Sequence, residues 1–277
     1  MFSMNRLDKE TRVRIVQCLV EGVGVNATCR MTGAAKNTVL KLLADLGEAF
    51  AKYHDEHVCH LLTKRVQCDE VWSFVYAKQK NVPAEMKGQF GVGDVWTWTA
   101  IDADTKLMIS WMIGLRDAGY ANEFMHDVAS RLARKVQLTT DGLKVYLDAV
   151  EDAFGGDIDY AQLVKIYGAE NPGAGRYSPP QVIGVEHEEI CGTPDIGHVS
   201  TSYVERSNLT IRMMNRRFTR LTNAFSKKID NHIHAFALFV MHYNFCKLHG
   251  TIRVTPAMEA GLSKTVWEIE DLLKLID

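Results

Sequence analysis

The 277-residue sequence has no apolar run approaching the roughly 20 residues of a membrane span, so no membrane partner is expected. Its N-terminus, MFSMNRLDKETR, turns charged at once and lacks an apolar core, so no secretory signal is expected either. The six cysteines (18, 29, 59, 68, 191 and 246) include no CxxC pair and are widely spread. That pattern fits free thiols in a reducing cytoplasm better than a disulfide framework. Repeats, low-complexity stretches and long linkers are missing. So is an overall excess of positive charge: the formal net charge is -2.

The balanced total hides strong segregation. Residues 200 to 230 carry seven Lys or Arg against two acids, and residues 1 to 65 carry ten bases against seven acids. Residues 143 to 195 carry ten acids against three bases. Local clusters set the local field, so a basic working surface is compatible with an acidic total.

Residues 8 to 60 read as helical. Asp8 is a candidate N-cap, with Val13, Val16, Leu19 and Val20 as an apolar stripe that stops at Gly22. A short helix over VNATCRM, a turn at Gly33 and a third helix with Val39, Leu42, Leu43 and Leu46 facing inward complete a helix-turn-helix. Lys36, Asn37 and Thr38 then open the recognition helix, with Lys41 one turn on, where side chains meet base edges in a major groove.

After Arg65 the period changes to two. Residues 66–76, 94–102 and the segment LMISWMIGLR read as an antiparallel meander. An amphipathic helix, a short strand at 136–141 and another helix follow. This order predicts an α/β fold: a ribonuclease H-like mixed sheet with flanking helices, preceded by an all-α helix-turn-helix domain. The expected domains are 1–62 and 63–277. The second has an insertion near 155–200, read as loops with short strands, and a C-terminal helical part: one helix over YVERSNLTIRMMNRRFTRL, a long one reaching Gly250, and a last one near 264–276.

The strand VQCDEVWSFV places two carboxylates, Asp69 and Glu70, inside an apolar segment. Side chains alternate across a strand, so Asp69 is expected on one face with Gln67, Val71 and Ser73. Glu70 is expected on the other, in a structural role with a partner such as an Arg, and the two are not expected to share a metal centre. In the ribonuclease H-like layout Asp69 lies mid-strand, Asp141 ends the fourth strand and Glu205 opens a helix, so the three can converge. Three carboxylates suit Mg²⁺ or Mn²⁺, and two ions about 4 Å apart support in-line phosphoryl displacement. At about 100° per residue, Glu205, Arg212 and Arg216 fall on one line of their helix, flanked by Asn208 and Arg220. Ile211, Met214, Phe218 and Leu221 fall opposite. The alternative is a solvated face of Glu–Arg pairs. Two His/Cys groups, His54–His57–Cys59–His60 and His242–Cys246–His249, match no closed zinc pattern and are read as surface and core residues.

CDEVWSFV, TTDG and YVERSNLTIRMMNRRFTRLTNAFSKK together resemble the transposases of the insertion-sequence-one family, within the DDE transposases. The resemblance spans most of the chain. It implies a Mg²⁺-dependent DNA transposase that binds the ends of its mobile element, cleaves there by hydrolysis and joins the freed 3′-hydroxyls to target DNA. It further implies Asp69, Asp141 and Glu205 as the catalytic triad, with Arg206, Asn208 and Arg212 accompanying the glutamate. The partners implied are double-stranded DNA, as element ends and target, and further copies of the chain in a homodimer or larger assembly. The expected location is the cytoplasm, associated with the nucleoid. Alternatives are a DNA-binding regulator or domesticated relative without catalysis, and a structure-selective nuclease on the same fold. The sequence departs from the family twice. A Cys-rich zinc-binding segment, present in many relatives, does not precede the first helix here, which implies a reduced end-binding part or a truncated chain. And 63 residues separate Asp141 from Glu205, which makes Asp148 a rival second carboxylate.

Overall fold

The side chain of Asp8 accepts the backbone N–H of Thr11 at 2.8 Å and caps α1 (Lys9–Val20). The structure, a computed structural model, describes residues 7–168 and 181–277. After α1 come α2 (Val25–Thr32) and α3 (Lys36–His57). Gly33 ends α2 with φ 72°, a left-handed conformation that favours glycine, and so turns the chain into α3. Val39, Leu42, Leu43 and Leu46 are buried, as their spacing requires.

The next elements are β1 (Arg65–Val75), β2 (Gly93–Asp102), β3 (Met108–Gly114), α4 (Ala118–Arg131), β4 (Gln137–Asp141) and α5 (Val145–Phe154). Then follow β5 (Asp159–Tyr167), β6 (Val182–Cys191), α6 (Ser202–Met214) and α7 (Ile229–Met241). Two short helices, α8 (Pro256–Glu259) and α9 (Ile269–Leu273), close the chain. The six strands form one mixed sheet in the order β3-β2-β1-β4-β5-β6. β1, β2 and β3 are antiparallel neighbours, β4 runs parallel to β1, β5 parallel to β4, and β6 antiparallel to β5. A mixed sheet in this order with flanking helices is consistent with a ribonuclease H-like fold.

Residue alternation along β1 sorts the two faces. Cys68 packs with Trp98, Phe124 and Tyr146, beneath α4 and α5. Val71 and Val75 pack with Ile211, Phe218, Phe236 and Val240, beneath α6 and α7. The N-terminal helices join this body through α3 and α7. At Gly47 an added Cβ would lie 2.4 Å from the Cβ of His234, so only glycine permits the approach. No described helix is long and apolar enough to cross a membrane.

Three expectations about elements need correction. Residues 155–200 are not loops with short strands: β5 has nine residues and β6 ten, and Tyr160 and Ala161 of β5 are buried. Residues 169–180 of that region lie outside the described residues. The helix expected over YVERSNLTIRMMNRRFTRL stops at Met214, because the Asn215 side chain accepts the N–H of Arg217 and starts a single 3-10 turn, Arg216–Phe218. Arg216 and Arg220 therefore do not continue the Glu205–Arg212 line, and Leu221 is exposed rather than core. The long helix ends at Met241 and passes into a π turn, His242–Cys246, where Asn244 exchanges two hydrogen bonds with the backbone of Met108.

Candidate metal centre

β1 and β4 pair in parallel with Gln67 opposite Thr139. Two residues further along, the strands carry Asp69 and Asp141 at matching level, so both side chains leave the same region of the sheet. One carboxylate oxygen each from Asp69, Glu70 and Asp141 lie within 4.8 Å of one another. This is the one Asp/Glu/His/Cys group of that compactness among the described residues.

Glu70 departs from its expected separation. The two acids do reach opposite faces: Asp69 Oδ2 accepts Asn208 Nδ2 of α6 at 2.7 Å, while Glu70 Oε1 accepts the Tyr146 hydroxyl of α5. Yet one oxygen of each still lies within the 4.8 Å group, and Asp69 Oδ1 accepts the backbone N–H of Glu70 at 2.8 Å. The Arg partner expected for Glu70 is Arg116, whose Nε donates to Oε2 at 3.0 Å. The same guanidinium lies 3.9 Å from Asp141 Oδ2 and over the Trp96 ring at 4.8 Å.

The electrostatics are those of a site short of positive charge. Burial, then the charges of Glu70 and Asp141, push the Asp69 carboxyl up to about 7. Burial raises Glu70 to about 6, against the lowering effect of Tyr146 and Arg116. The Glu70 side chain is 1% exposed and that of Asp141 39%, so the group opens to solvent at Asp141. An all-oxygen donor set whose charges oppose one another is what a hard divalent cation relieves, so these residues fit Mg²⁺ or Mn²⁺.

Glu205 lies in the first turn of α6 and is outside the compact group. Its charge is the smallest of the contributions that raise Asp69. Its Oε1 accepts Lys165 Nζ of β5 and the Thr201 hydroxyl. The start of α6 is fixed to β1 by Gln67, whose Oε1 accepts the N–H groups of Tyr203 at 2.9 Å and Val204 at 3.1 Å. Asp148 is exposed on α5 beside Glu151 and Asp152.

Among the residues expected to meet DNA, Lys36, Asn37 and Lys41 are exposed on the first turns of α3, with Thr38 half-buried. Lys41 pairs with Asp45 at 2.8 Å. Arg206, Arg216 and Arg220 are exposed. Asn208 is buried on Asp69 rather than flanking an open line, and Arg212 is half-buried with its Nε unpaired. Of the His/Cys groups, His54 is buried against the Met108 carbonyl and His57 stacks on Tyr53. Sequence reasoning missed Arg116, Tyr146, Lys165 and Gln67 as parts of the site. Each acts across a long sequence separation that no periodicity reports.

No protein-family model matches the chain, and no curated protein matches it. Among solved structures, the chain is similar to a piggyBac transposase in a synaptic complex with hairpin DNA. The alignment covers 100% of this chain and 72% of that one, with a TM-score of 0.42 and 10% identity.

Proposed function

We propose that this protein is a DDE-type DNA transposase, resembling the insertion-sequence-one family, that binds the ends of a mobile element and carries out Mg²⁺-dependent strand cleavage and strand transfer. The observation that carries the reading is the meeting of Asp69 and Asp141 on adjacent strands, with Asn208 of the Glu205 helix bonded to Asp69.

In this reading Asp69, Asp141 and Glu205 are the catalytic ligands for two Mg²⁺ or Mn²⁺ ions. Bound there, such ions activate an attacking oxygen and stabilise the leaving oxygen in displacement at phosphorus. Asn208 orients the Asp69 carboxylate, and Gln67 holds the start of α6 so that Glu205 stays beside the sheet. Arg116 limits the repulsion between Glu70 and Asp141. Residues 1–62 serve as the helix-turn-helix, with Lys36, Asn37, Thr38 and Lys41 toward DNA, and 63–277 as the catalytic part, with the region near 155–200 as an insertion. Arg206, Arg212, Arg216 and Arg220 meet phosphates. Joining two ends requires two active centres, so the working form is a homodimer or larger, located in the cytoplasm with the nucleoid.

One observation favours the second reading, a DNA-binding regulator without catalysis: Glu205 is tied to Lys165 and stands outside the compact acid group. Purified protein is incubated with Mg²⁺ and DNA carrying the inverted repeats that flank its gene. Cleavage and joining that vanish with EDTA and in Asp69→Ala support the transposase. Binding without cleavage under every metal condition supports the regulator.

A further inference from the structure

A cleft of about 1010 Å³ lies between the N-terminal helices and the chain that links α6 to α7. Eight Lys or Arg side chains line it and no Asp or Glu does. Arg30 and Lys36 stand on the side of α2 and α3. Arg216, Arg217, Arg220, Lys227 and Lys228 stand on the other, and Lys78 adds to it from beyond β1. None of the eight is ion-paired with a carboxylate among the described residues.

Arg217 is the least expected of them. It is 9% exposed, its Nη1 donates to Ser226 Oγ at 2.7 Å, and its buried Nη2 has no partner. Burying a guanidinium without an anion is costly, and here burial pulls its pKa down to about 10. The site is also built rather than incidental. Ser226, between the lining residues Phe225 and Lys227, accepts the N–H of Tyr76 on its carbonyl at 2.8 Å, which ties this wall of the cleft to the end of β1, the strand of Asp69. Arg212, half-buried on α6 with its Nε unpaired, stands in the chain between Asn208, which is bonded to Asp69, and the Arg216–Arg220 wall of the cleft.

A single phosphate or carboxylate would neutralise one or two of these cations. Eight uncompensated charges spread over two walls call for a polyanion several phosphates long. We infer that this cleft seats the sugar-phosphate edge of a DNA duplex, gripped between the N-terminal helices and the Arg216–Lys228 segment and leading past Arg212 to the acid group. The inference rests on the proposed action on DNA, and it adds Arg30, Lys78, Arg217, Lys227 and Lys228 as backbone contacts independent of base sequence.

The test measures binding of the full chain to a random-sequence 30-base-pair duplex in EDTA by fluorescence anisotropy across a KCl series. Arg30→Gln/Lys227→Gln/Lys228→Gln changes three exposed residues on both walls. Lys9→Gln/Lys52→Gln/Lys264→Gln makes the same charge change outside the cleft. The cleft variant is expected to lose about 10- to 100-fold in affinity at 0.15 M salt, and about 2.7 from the salt slope of log K. The control variant is expected to stay within about twofold of the parent. Equal losses in both variants, or no loss in the cleft variant, would overturn the inference. So would a single-stranded RNA of equal length competing better than the duplex. Because the assay excludes metal, parental DNA binding through the cleft without cleavage in Mg²⁺ would sink the transposase reading and leave the cleft standing.

Discussion

Asn208 Nδ2 donates to Asp69 Oδ2 at 2.7 Å across 139 residues of sequence. The bond ties α6 to β1 next to the acid group and occupies one of the two Asp69 oxygens. The other oxygen, Oδ1, accepts the backbone N–H of Glu70, so both Asp69 oxygens are held. Partners that orient a ligand in this way are commonly worth 10- to 100-fold in metal affinity or activity. Asn208→Ala is therefore expected to weaken Mn²⁺ binding by about 10-fold or more, read by calorimetric titration. Asn208→Asp is expected to raise the Asp69 pKa further by adding a carboxylate. Metal affinity unchanged in Asn208→Ala would remove Asn208 from the site.

The raised Asp69 and Glu70 pKa values make a statement about stability. Asp69 rises from 3.8 to about 7 and Glu70 from 4.5 to about 6. Between its unfolded and folded pKa, each group is protonated in the folded chain and ionised in the unfolded one. The folded state then holds the extra proton, so each group's contribution falls as pH rises through that window, by about 1.4 kcal/mol per pH unit for one proton. His232 and His242, lowered by burial to about 3 and about 4, act in the opposite sense below 6.5. The difference between parent and Asp69→Asn isolates the acid. In EDTA, Asp69→Asn is expected to be more stable than the parent at pH 8, with the advantage shrinking toward pH 4. Mg²⁺ should raise the parent's Tm at pH 8 and leave Asp69→Asn unchanged. A parent that gains nothing from Mg²⁺ at pH 8 contradicts the metal assignment.

What the sequence disclosed follows from what local pattern can encode. Asp69 stood out because an acid inside an apolar strand breaks the pattern, and Asp141 because it ends a strand before a Gly turn. The α1 cap and the buried stripe of α3 are local features and were legible for the same reason. β5 was not. It follows Gly155 and Gly156, opens on Asp159, and leaves Lys165, Ile166 and Tyr167 beyond the covered part of the sheet, so only its first half carries a buried signature. The line of Glu205, Arg212 and Arg216 assumed a helix running through Asn215, whose side chain instead caps the next turn. Glu70 belongs to the acid group although it reaches the other face, because strand alternation fixes where a side chain starts and not where a long carboxylate ends.

Lys165 decides how available Glu205 is. The pair is partly exposed, at 30% and 41%, so its worth is about 1 kcal/mol at most. If Glu205 is a ligand, Lys165 competes with the metal for it. Lys165→Gln is then expected to lower the Mg²⁺ concentration for half-maximal cleavage by about 2- to 5-fold. A metal requirement that does not move in this variant would take Glu205 out of the ligand set and favour the compact Asp69–Glu70–Asp141 group.

Gly47 tests whether the N-terminal helices are held by close packing or merely tethered. In an exposed helix, Gly→Ala stabilises by about 1 kcal/mol, because alanine is the better helix former. Here the new Cβ would lie 2.4 Å from the Cβ and 2.5 Å from the Cα of His234, both fixed by the α7 backbone. No rotamer change relieves such a clash, so α3 must move away from α7. Overpacking of this kind costs about 1–3 kcal/mol, which outweighs the propensity gain. Urea denaturation should therefore show Gly47→Ala destabilised. Gly33→Ala meets nothing within 4 Å, but its φ of 72° opposes any Cβ, so it should lose stability through backbone strain alone. If the α3–α7 contact also aligns the two walls of the basic cleft, Gly47→Ala should weaken duplex binding while Gly33→Ala, once folded, should affect it less. Stabilisation by Gly47→Ala would show that the helices are not packed as closely as this contact requires.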